Sequence, residues 1–336
     1  MAATLSRAWS ARGPLACALW PVSLLFGALA ALRRALFRTG LMASQRLPVP
    51  VVVVGNIFIG GTGKTPFTIW LVQTLRAAGF HPGVISRGHG GEGAVQPVGA
   101  DANPQQVGDE PLLIALRAQC PVMVGRERAA AGCALLAAHP EVDLIISDDC
   151  LQHYALQRDV EIILFDTRGA GNGWLLPAGP LREPVSRRRD FTIVNGAELP
   201  GGIGGTPYRM QLAGQVAERL LRRDEQIALS ALAAQPATRI VAAAGIGNPG
   251  RFFAMLRAAG LRFDELALPD HHDFLDQPFA RLDADVILIT EKDAVKCAQI
   301  EQLKNDPRLW VVPVSAQLDA ALAEHIVEKC RGRSPA

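Results

Sequence analysis

The sequence predicts an α/β protein. A doubly wound, mostly parallel sheet domain is built around a phosphate-binding loop, with an N-terminal hydrophobic helix before it and a second, smaller α/β lobe after it. Three observations carry this. The segment 55–66, GNIFIGGTGKTP, stands directly behind the apolar run 49–54 and in front of a helical pattern. Apolar strands alternate with helical segments from there to the C-terminus, the rhythm of a doubly wound sheet with ligands at the carboxyl ends of its strands. Residues 13–32 carry no charge. Hydrophobic residues make up 49% of the chain and aromatic ones only 6%, so the core is expected to be Val, Leu, Ile and Ala, as buried parallel strands require.

The N-terminal region, residues 1–44, comes first. Its uncharged stretch lies between Arg12 and the group Arg33, Arg34 and Arg38, and about 20 apolar residues are enough to span a bilayer. Pro14, Pro21, Gly13 and Gly27 weaken a straight spanning helix. The expectation is therefore an amphipathic or shallowly inserted helix with its arginines at anionic headgroups. A buried core helix is the plain alternative, and a true span or a secretory signal the remaining one.

Residues 45–198 read as a P-loop domain. Strand, glycine turn and helix N-terminus make an anion cradle from Gly60, Gly61, Thr62 and Gly63. Lys64 adds a mobile positive charge, and Thr65 offers a hydroxyl to a Mg²⁺ on the terminal phosphates. The strict G-x-x-x-x-G-K-[ST] pattern wants glycine at 58, where this chain has Phe58. The doublet Gly60-Gly61 resembles the deviant loops of other nucleotide-binding proteins, although Ile59 replaces their marker lysine. A helix follows over 65–78, with strands at 83–86, 121–124, 142–147, 161–165 and 191–194 and helices at 111–119 and 127–138. The cluster 200–205, PGGIGG, reads as a linker or a turn. The smaller lobe, residues 199–336, has strands at 208–212, 239–244, 285–290 and 310–314 and a closing helix at 320–329, with the last residues disordered. Its GIGNP turn lacks dinucleotide spacing.

Composition narrows the function classes. A net charge of +2 gives no reason to expect nucleic acid. Six cysteines without CxxC spacing read as reduced thiols, mostly core fillers.

The candidate chemistry lies at strand ends. Asp148 and Asp149 follow the strand 142–147, where an aspartate beside the loop holds Mg²⁺ directly or through water; a helix cap is the bland alternative. Asp109, in the first turn of its helix, suits the helix dipole and also faces the ligand edge, where a carboxylate accepts the proton of an attacking hydroxyl. In Asp270-His271-His272-Asp273 adjacent histidines diverge, so zinc spacing is lacking and an acid-paired histidine is the alternative to a solvated loop. His153 is as compatible with a structural as with a phosphate-facing role. Among the arginines, the run 187–189 reads as a solvated or membrane-facing basic face, while Arg182 tips a rigid proline-rich loop, 175–184.

Several motifs then coincide in order: VVVVGNIFIGGTGKTP, VISRG (84–88), VGDEP (107–111), SDDCLQH (147–153), LLPAGPLREP (175–184), AAAGIGNP (242–249), PDHHDF (269–274) and TEKDAVK (290–296). Together, from about residue 10 to 330, they resemble the tetraacyldisaccharide 4′-kinase, or lipid A 4′-kinase, family. The resemblance implies ATP- and Mg²⁺-dependent phosphorylation of the 4′-hydroxyl of an acylated glucosamine disaccharide 1-phosphate. It also implies work at the cytoplasmic face of the bacterial inner membrane, with the N-terminal helix approaching the lipid. By matching positions, Lys64 and Thr65 are phosphate and Mg²⁺ residues, Asp148 and Asp149 the acidic pair, Asp109 the base assisted by His271, and Arg87, Arg128 and Arg182 site-facing cations. His89 stands where the family usually has tyrosine, and Cys150 where it has glycine, so a backbone conformation easy for glycine is expected to be harder at 150. Two other readings remain: a ParA/MinD-like ATPase switch, and a soluble small-molecule kinase with a merely structural N-terminal helix.

Overall fold

The computed structural model describes residues 9–88, 93–235 and 237–332. His89 and residues 333–336 lie outside the described residues. The first helix, α1 (Pro14–Arg38), starts with proline at its first turn, where a missing N–H costs nothing. It runs through Pro21 as one helix of 25 residues, so the expected weakening at the prolines does not break it. Its inner face is held by the loop over 172–187: Ser23 Oγ donates to the Leu175 carbonyl at 2.5 Å and accepts from Ala178 N–H at 3.0 Å. Leu24, Leu25, Leu29 and Leu32 face outward, each more than half exposed.

The Val-rich run forms β1 (Val51–Gly55), every residue buried, flanked by β5 (Leu144–Asp148) on one side and β6 (Val160–Asp166) on the other, both parallel to it. Beyond β5 lie β2 (Pro82–Ser86), β4 (Val122–Val124) and the short antiparallel β3 (Gln96–Pro97). Beyond β6 lie β7 (Phe191–Asn195) and β8 (Pro207–Ala213), parallel, then β15 (Ser315–Leu318), antiparallel. The nine-stranded order is β15-β8-β7-β6-β1-β5-β2-β4-β3. The chain leaves β1 for strands on one side and later returns for strands on the other. The carboxyl end of β1 is thus the switch point, where an open parallel sheet opens a crevice.

Helices α2 (Lys64–Ala77), α3 (Pro104–Val107), α4 (Asp109–Ala118) and α5 (Arg128–Ala138) connect the strands. Phe67, Leu71 and Leu75 of α2 pack with Ile114 of α4 and sheet residues in one cluster, each such side chain contributing roughly 1.5–3 kcal/mol on burial.

The smaller sheet has the order β10-β9-β14-β13-β11-β12. Its parallel centre is β11 (Ile240–Ala244), β13 (Val286–Thr290) and β14 (Leu309–Val312), with β12 (Asp264–Ala267) parallel at one edge and β9 (Val216–Arg219), then β10 (Gln226–Ala228), antiparallel toward the other. Around it lie α6 (Leu229–Ala233), α7 (Pro249–Ala258), α8 (Glu291–Cys297) and α9 (Glu301–Lys304). The glycine cluster at 200–205 does not join the two sheets. It turns the chain between β7 and β8 of the large one, where successive positive-φ glycines allow a tight crossover without a helix. The chain changes sheets at 213–216 and returns at 312–315. The last helix, α10 (Ala320–Arg331), then buries Leu322, Ile326 and Cys330 in the large-sheet core. Cys120, Cys150, Cys297 and Cys330 are buried, Cys17 and Cys133 exposed.

Candidate active site

The loop 56–63 leaves β1 and is stapled from within. Asn56 Nδ2 donates to the carbonyls of Phe58 at 2.7 Å and Gly60 at 2.8 Å. Phe58 is buried and pairs with Leu181 in a short antiparallel bridge, while Ile59 N–H donates to Pro180 and Arg182 N–H to Ile57. The Arg168 guanidinium lies 4.2 Å from the Phe58 ring centroid. The aromatic ring where a strict loop has glycine is therefore an anchor that seats the proline-rich loop on the phosphate loop. At the helix entrance Gly63 has φ +91°, and an added Cβ would collide with the Asn195 side chain, whose Nδ2 donates to the Thr62 carbonyl at 3.1 Å. Only glycine fits there.

Lys64 Nζ reaches Asn56 Oδ1 at 3.3 Å and Asp149 Oδ1 at 3.5 Å. The adjacent carboxylates Asp148 and Asp149 have opposite fates. Asp148 ends β5, almost wholly buried, with Oδ1 accepting from Thr68 Oγ at 3.0 Å and Oδ2 buried without a hydrogen-bond partner among the described residues. Burial, then Glu110, push its pKa up to about 7. Asp149 has φ +51°. Burial alone would raise it, but Lys64 and Arg182 hold it below the ordinary carboxylate range. The left-handed position is thus Asp149, not Cys150: Cys150 is absent from the positive-φ residues and is simply buried. A buried carboxylate oxygen lacking a partner, beside a lysine and the Thr65 turn, is the donor chemistry a hard divalent ion takes, so these residues fit Mg²⁺.

Across the crevice stands the second constellation. Asp109, at the start of α4 and nearly fully buried, meets His271 from the small lobe: His271 Nδ1 lies 3.0 Å from Asp109 Oδ2. Burial works against the charged carboxylate, but the hydrogen bond to His271 and the charges of Lys292 and Lys296 hold Asp109 down to about 2. The same hydrogen bond raises His271. Lys296 Nζ sits 3.6 Å from Asp109 Oδ2, and Lys292 Nζ pairs with Glu110 at 2.9 Å. Arg117 of α4 also pairs with Glu291 of α8 at 2.7 Å. The small lobe closes on the phosphate loop too. An added Cβ at Gly247, in the GIGNP turn, would lie 3.5 Å from Gly61 N, and Arg251 pairs with Asp166 at 2.9 Å.

The structure therefore gathers Gly60, Gly61, Thr62, Gly63, Lys64, Thr65, Asp148, Asp149 and Arg182, whose guanidinium lies 3.8 Å from Asp149. It brings Asp109 and His271 together from different lobes. The neighbouring histidines diverge as expected, His272 Nδ1 accepting from Phe274 N–H. Arg87 is exposed at the end of β2. Arg128 is buried, its Nη1 donating to the carbonyls of Gly125 and Arg126, and burial lowers its pKa. His153 is half-buried, its Nε2 without a hydrogen-bond partner among the described residues, and burial lowers its pKa.

The run 187–189 is not a solvated basic face. Arg187 is enclosed by Glu183, Glu161 and the Tyr154 hydroxyl, Arg189 holds backbone carbonyls, and only Arg188 is exposed. The carboxylates of Glu183 and Glu161 draw Arg187 inward. Sequence reasoning also passed over Glu183, Lys292 and Lys296. The i, i+4 spacing of Lys292 and Lys296 in TEKDAVK was the available signal, since it puts both on one helix face.

Comparison with known proteins agrees with this geometry. The family model of the tetraacyldisaccharide-1-P 4′-kinases, LpxK, matches residues 15–331. A tetraacyldisaccharide 4′-kinase of Janthinobacterium sp. (strain Marseille) is 67% identical over 334 residues, covering 98% of this chain and 96% of that protein. One from Dechloromonas aromatica (strain RCB) is 47% identical over 353 residues, 100% of each. LpxK from Aquifex aeolicus, solved in complex with ATP, superposes with a TM-score of 0.78 at 27% identity, covering 94% of this chain and 99% of that one. With a phosphate cradle, a paired acid across the crevice and full-length matches of this kind, the chain belongs to the tetraacyldisaccharide-1-P 4′-kinase family.

Proposed function

We propose that this chain transfers the γ-phosphoryl group of ATP to the 4′-hydroxyl of a tetraacylated glucosamine disaccharide 1-phosphate, a lipid A precursor. The observation that carries the reading is the placement of the Asp109–His271 pair opposite the Lys64 loop, with α1 docked through Ser23 on the proline-rich loop that itself seats on the phosphate loop. Gly60, Gly61, Thr62, Gly63 and Lys64 hold the phosphates. Thr65, Asp148 and Asp149 hold Mg²⁺, which when bound offsets phosphate charge. Arg87, Arg128 and Arg182 face the anionic groups of the two substrates.

The O4′–H proton passes to Asp109 as O4′ bonds to the γ-phosphorus and the bond to the ADP oxygen breaks. A carboxylate held near 2 is a weak base. A loose transition state leaves little charge on the attacking oxygen, so Asp109 aligns the hydroxyl first and takes the proton late. His271 keeps Asp109 ionised and oriented until then.

The chain works in this reading as a membrane-associating region (1–44), a phosphate-binding body (45–198) and a lobe (199–336) that contributes His271. α1 is long and apolar enough to cross a membrane by length and composition. Its small-residue face, with Ala16 and Ser23 buried, is already docked on the protein, which favours peripheral or shallow insertion at the cytoplasmic face of the inner membrane, with Arg33 and Arg38 at the headgroups.

The test is the product. Incubation with ATP and the acylated disaccharide yields a new phosphomonoester at the 4′ carbon, read by phosphorus–proton correlation spectroscopy. ATP hydrolysis with an unmodified lipid favours the ATPase-switch reading instead.

A further inference from the structure

Behind the Asp109–His271 pair lies a third group that nothing above gives a role. Lys292 Nζ, on the first turn of α8, stands 3.2 Å from His271 Nε2, 2.9 Å from Glu110 Oε1 and 3.6 Å from Asp270 Oδ1. An ammonium has three N–H donors and no acceptor, so the two neighbours at hydrogen-bond distance, Glu110 and His271, must accept from it, and Asp270 adds an ion pair. Glu110 accepts as a carboxylate. His271 does so only if Nε2 bears its lone pair, which places the ring proton on Nδ1, aimed at Asp109 Oδ2. The side chain is fixed in that pose by its backbone. His271 has φ +59°, its N–H donates to the Gly245 carbonyl at 3.1 Å, and Gly245 N–H donates to the buried Asp293 at 2.9 Å.

We propose that Lys292 is a positioning residue that fixes His271 as the neutral Nδ1–H tautomer, so that Asp109, and not the imidazole, remains the open proton acceptor of the phosphoryl-transfer reaction. From α4, Asp109 favours the imidazolium, with Glu110 neutralised by Lys292. From α8, Lys292 opposes it, and Lys296 lies 3.6 Å from Asp109 Oδ2, the oxygen that His271 meets, and 3.7 Å from Asp293. From its own loop, Asp270 Oδ1 lies 3.9 Å from His271 Nε2 and also favours the imidazolium, while sharing Lys292. A doubly protonated ring would set an Nε2–H against the ammonium at hydrogen-bond range. The capped nitrogen cannot take the sugar proton without Lys292 first moving away, whereas Asp109 Oδ1, which accepts from Glu110 N–H at 3.0 Å, has a second lone pair to offer. The role in transfer rests on the proposed kinase reading, but the tautomer does not.

The test is nitrogen-15 spectroscopy of the full-length protein labelled at histidine, with the His271 signals assigned by their loss in His271→Gln. In the wild type above the His271 midpoint, Nδ1 carries the proton and Nε2 is bare. Lys292→Met removes the opposing charge and the cap, so the titration midpoint of His271 rises by about one pH unit and the tautomer preference is lost. Lys292→Arg keeps a cationic donor and stays near the wild type. A merely structural lysine would not move the tautomer. An Nε2–H ring in the wild type, or a midpoint and tautomer unchanged in Lys292→Met, overturns the proposal. Because this readout needs no turnover, its failure is distinguishable from failure of the transfer assay.

Discussion

The phosphate loop takes its shape from residues close to it in sequence and from the strand behind it, whereas the Asp109–His271 pair exists only where two lobes meet. Asn56 staples the loop to its own carbonyls, and Gly63 sets the turn. His271 comes to Asp109 from 162 positions away and is held by Lys292, Gly245 and Asp293. The first region is a rigid holder. The second depends on the seam between lobes, so damage to either lobe reaches it. Nucleotide binding and acceptor activation should therefore fail separately.

The largest expected effect breaks the holder. Lys64→Ala removes the charge that faces the terminal phosphates and should lower kcat/KM about a thousandfold, with weaker ATP binding in calorimetry. Next comes delivery of the lipid. Leu25→Lys with Leu29→Lys places two charges on the outward face of α1 without touching its docked side. Partition into anionic vesicles should fall about a hundredfold, as the loss of two buried leucines implies; unchanged sedimentation with vesicles counts against the membrane reading. Gly63→Ala forces a left-handed alanine against Asn195 and should cost about tenfold in kcat/KM, mostly through KM for ATP.

The smallest effect has the opposite sign. Asp148 has an ordinary value of 3.8 and a folded value of about 7. Between those two, the folded protein keeps a proton that the unfolded chain releases, so stability falls as pH rises through that window. Asp148→Asn should raise the melting temperature of the metal-free protein by a few degrees at pH 8, with little gain at pH 4, while transfer is lost. A lower melting temperature at pH 8 would show that Asp148 is not strained by its burial.

How much of this was legible in the chain follows the same division. β1, β5 and β6 are apolar runs, and the loop is a local motif, so residues 55–66 and Asp148-Asp149 announced themselves. The edge strands β10, β12 and β15, and β9 next to an edge, alternate polarity weakly because one side meets solvent, and no periodicity marked them. The arginines at 187–189 looked solvated because the carboxylates that draw Arg187 inward, Glu161 and Glu183, are partners only in the fold. Lys292 carried a spacing signal but no meaning until α8 was seen against α4. The glycines at 200–205 mark a turn correctly, yet whether a turn joins two sheets or two strands of one sheet is decided by pairing at a distance.

The separation of holder from activator is tested most directly in Asp109→Ala, by measuring ATP affinity in calorimetry and transfer of labelled γ-phosphate to the acylated disaccharide on the same preparation. The account predicts that turnover falls about a hundredfold or more while the ATP dissociation constant stays within about twofold of wild type. An equal loss of affinity and rate would place Asp109 in nucleotide or metal binding and contradict the assignment of the two sides.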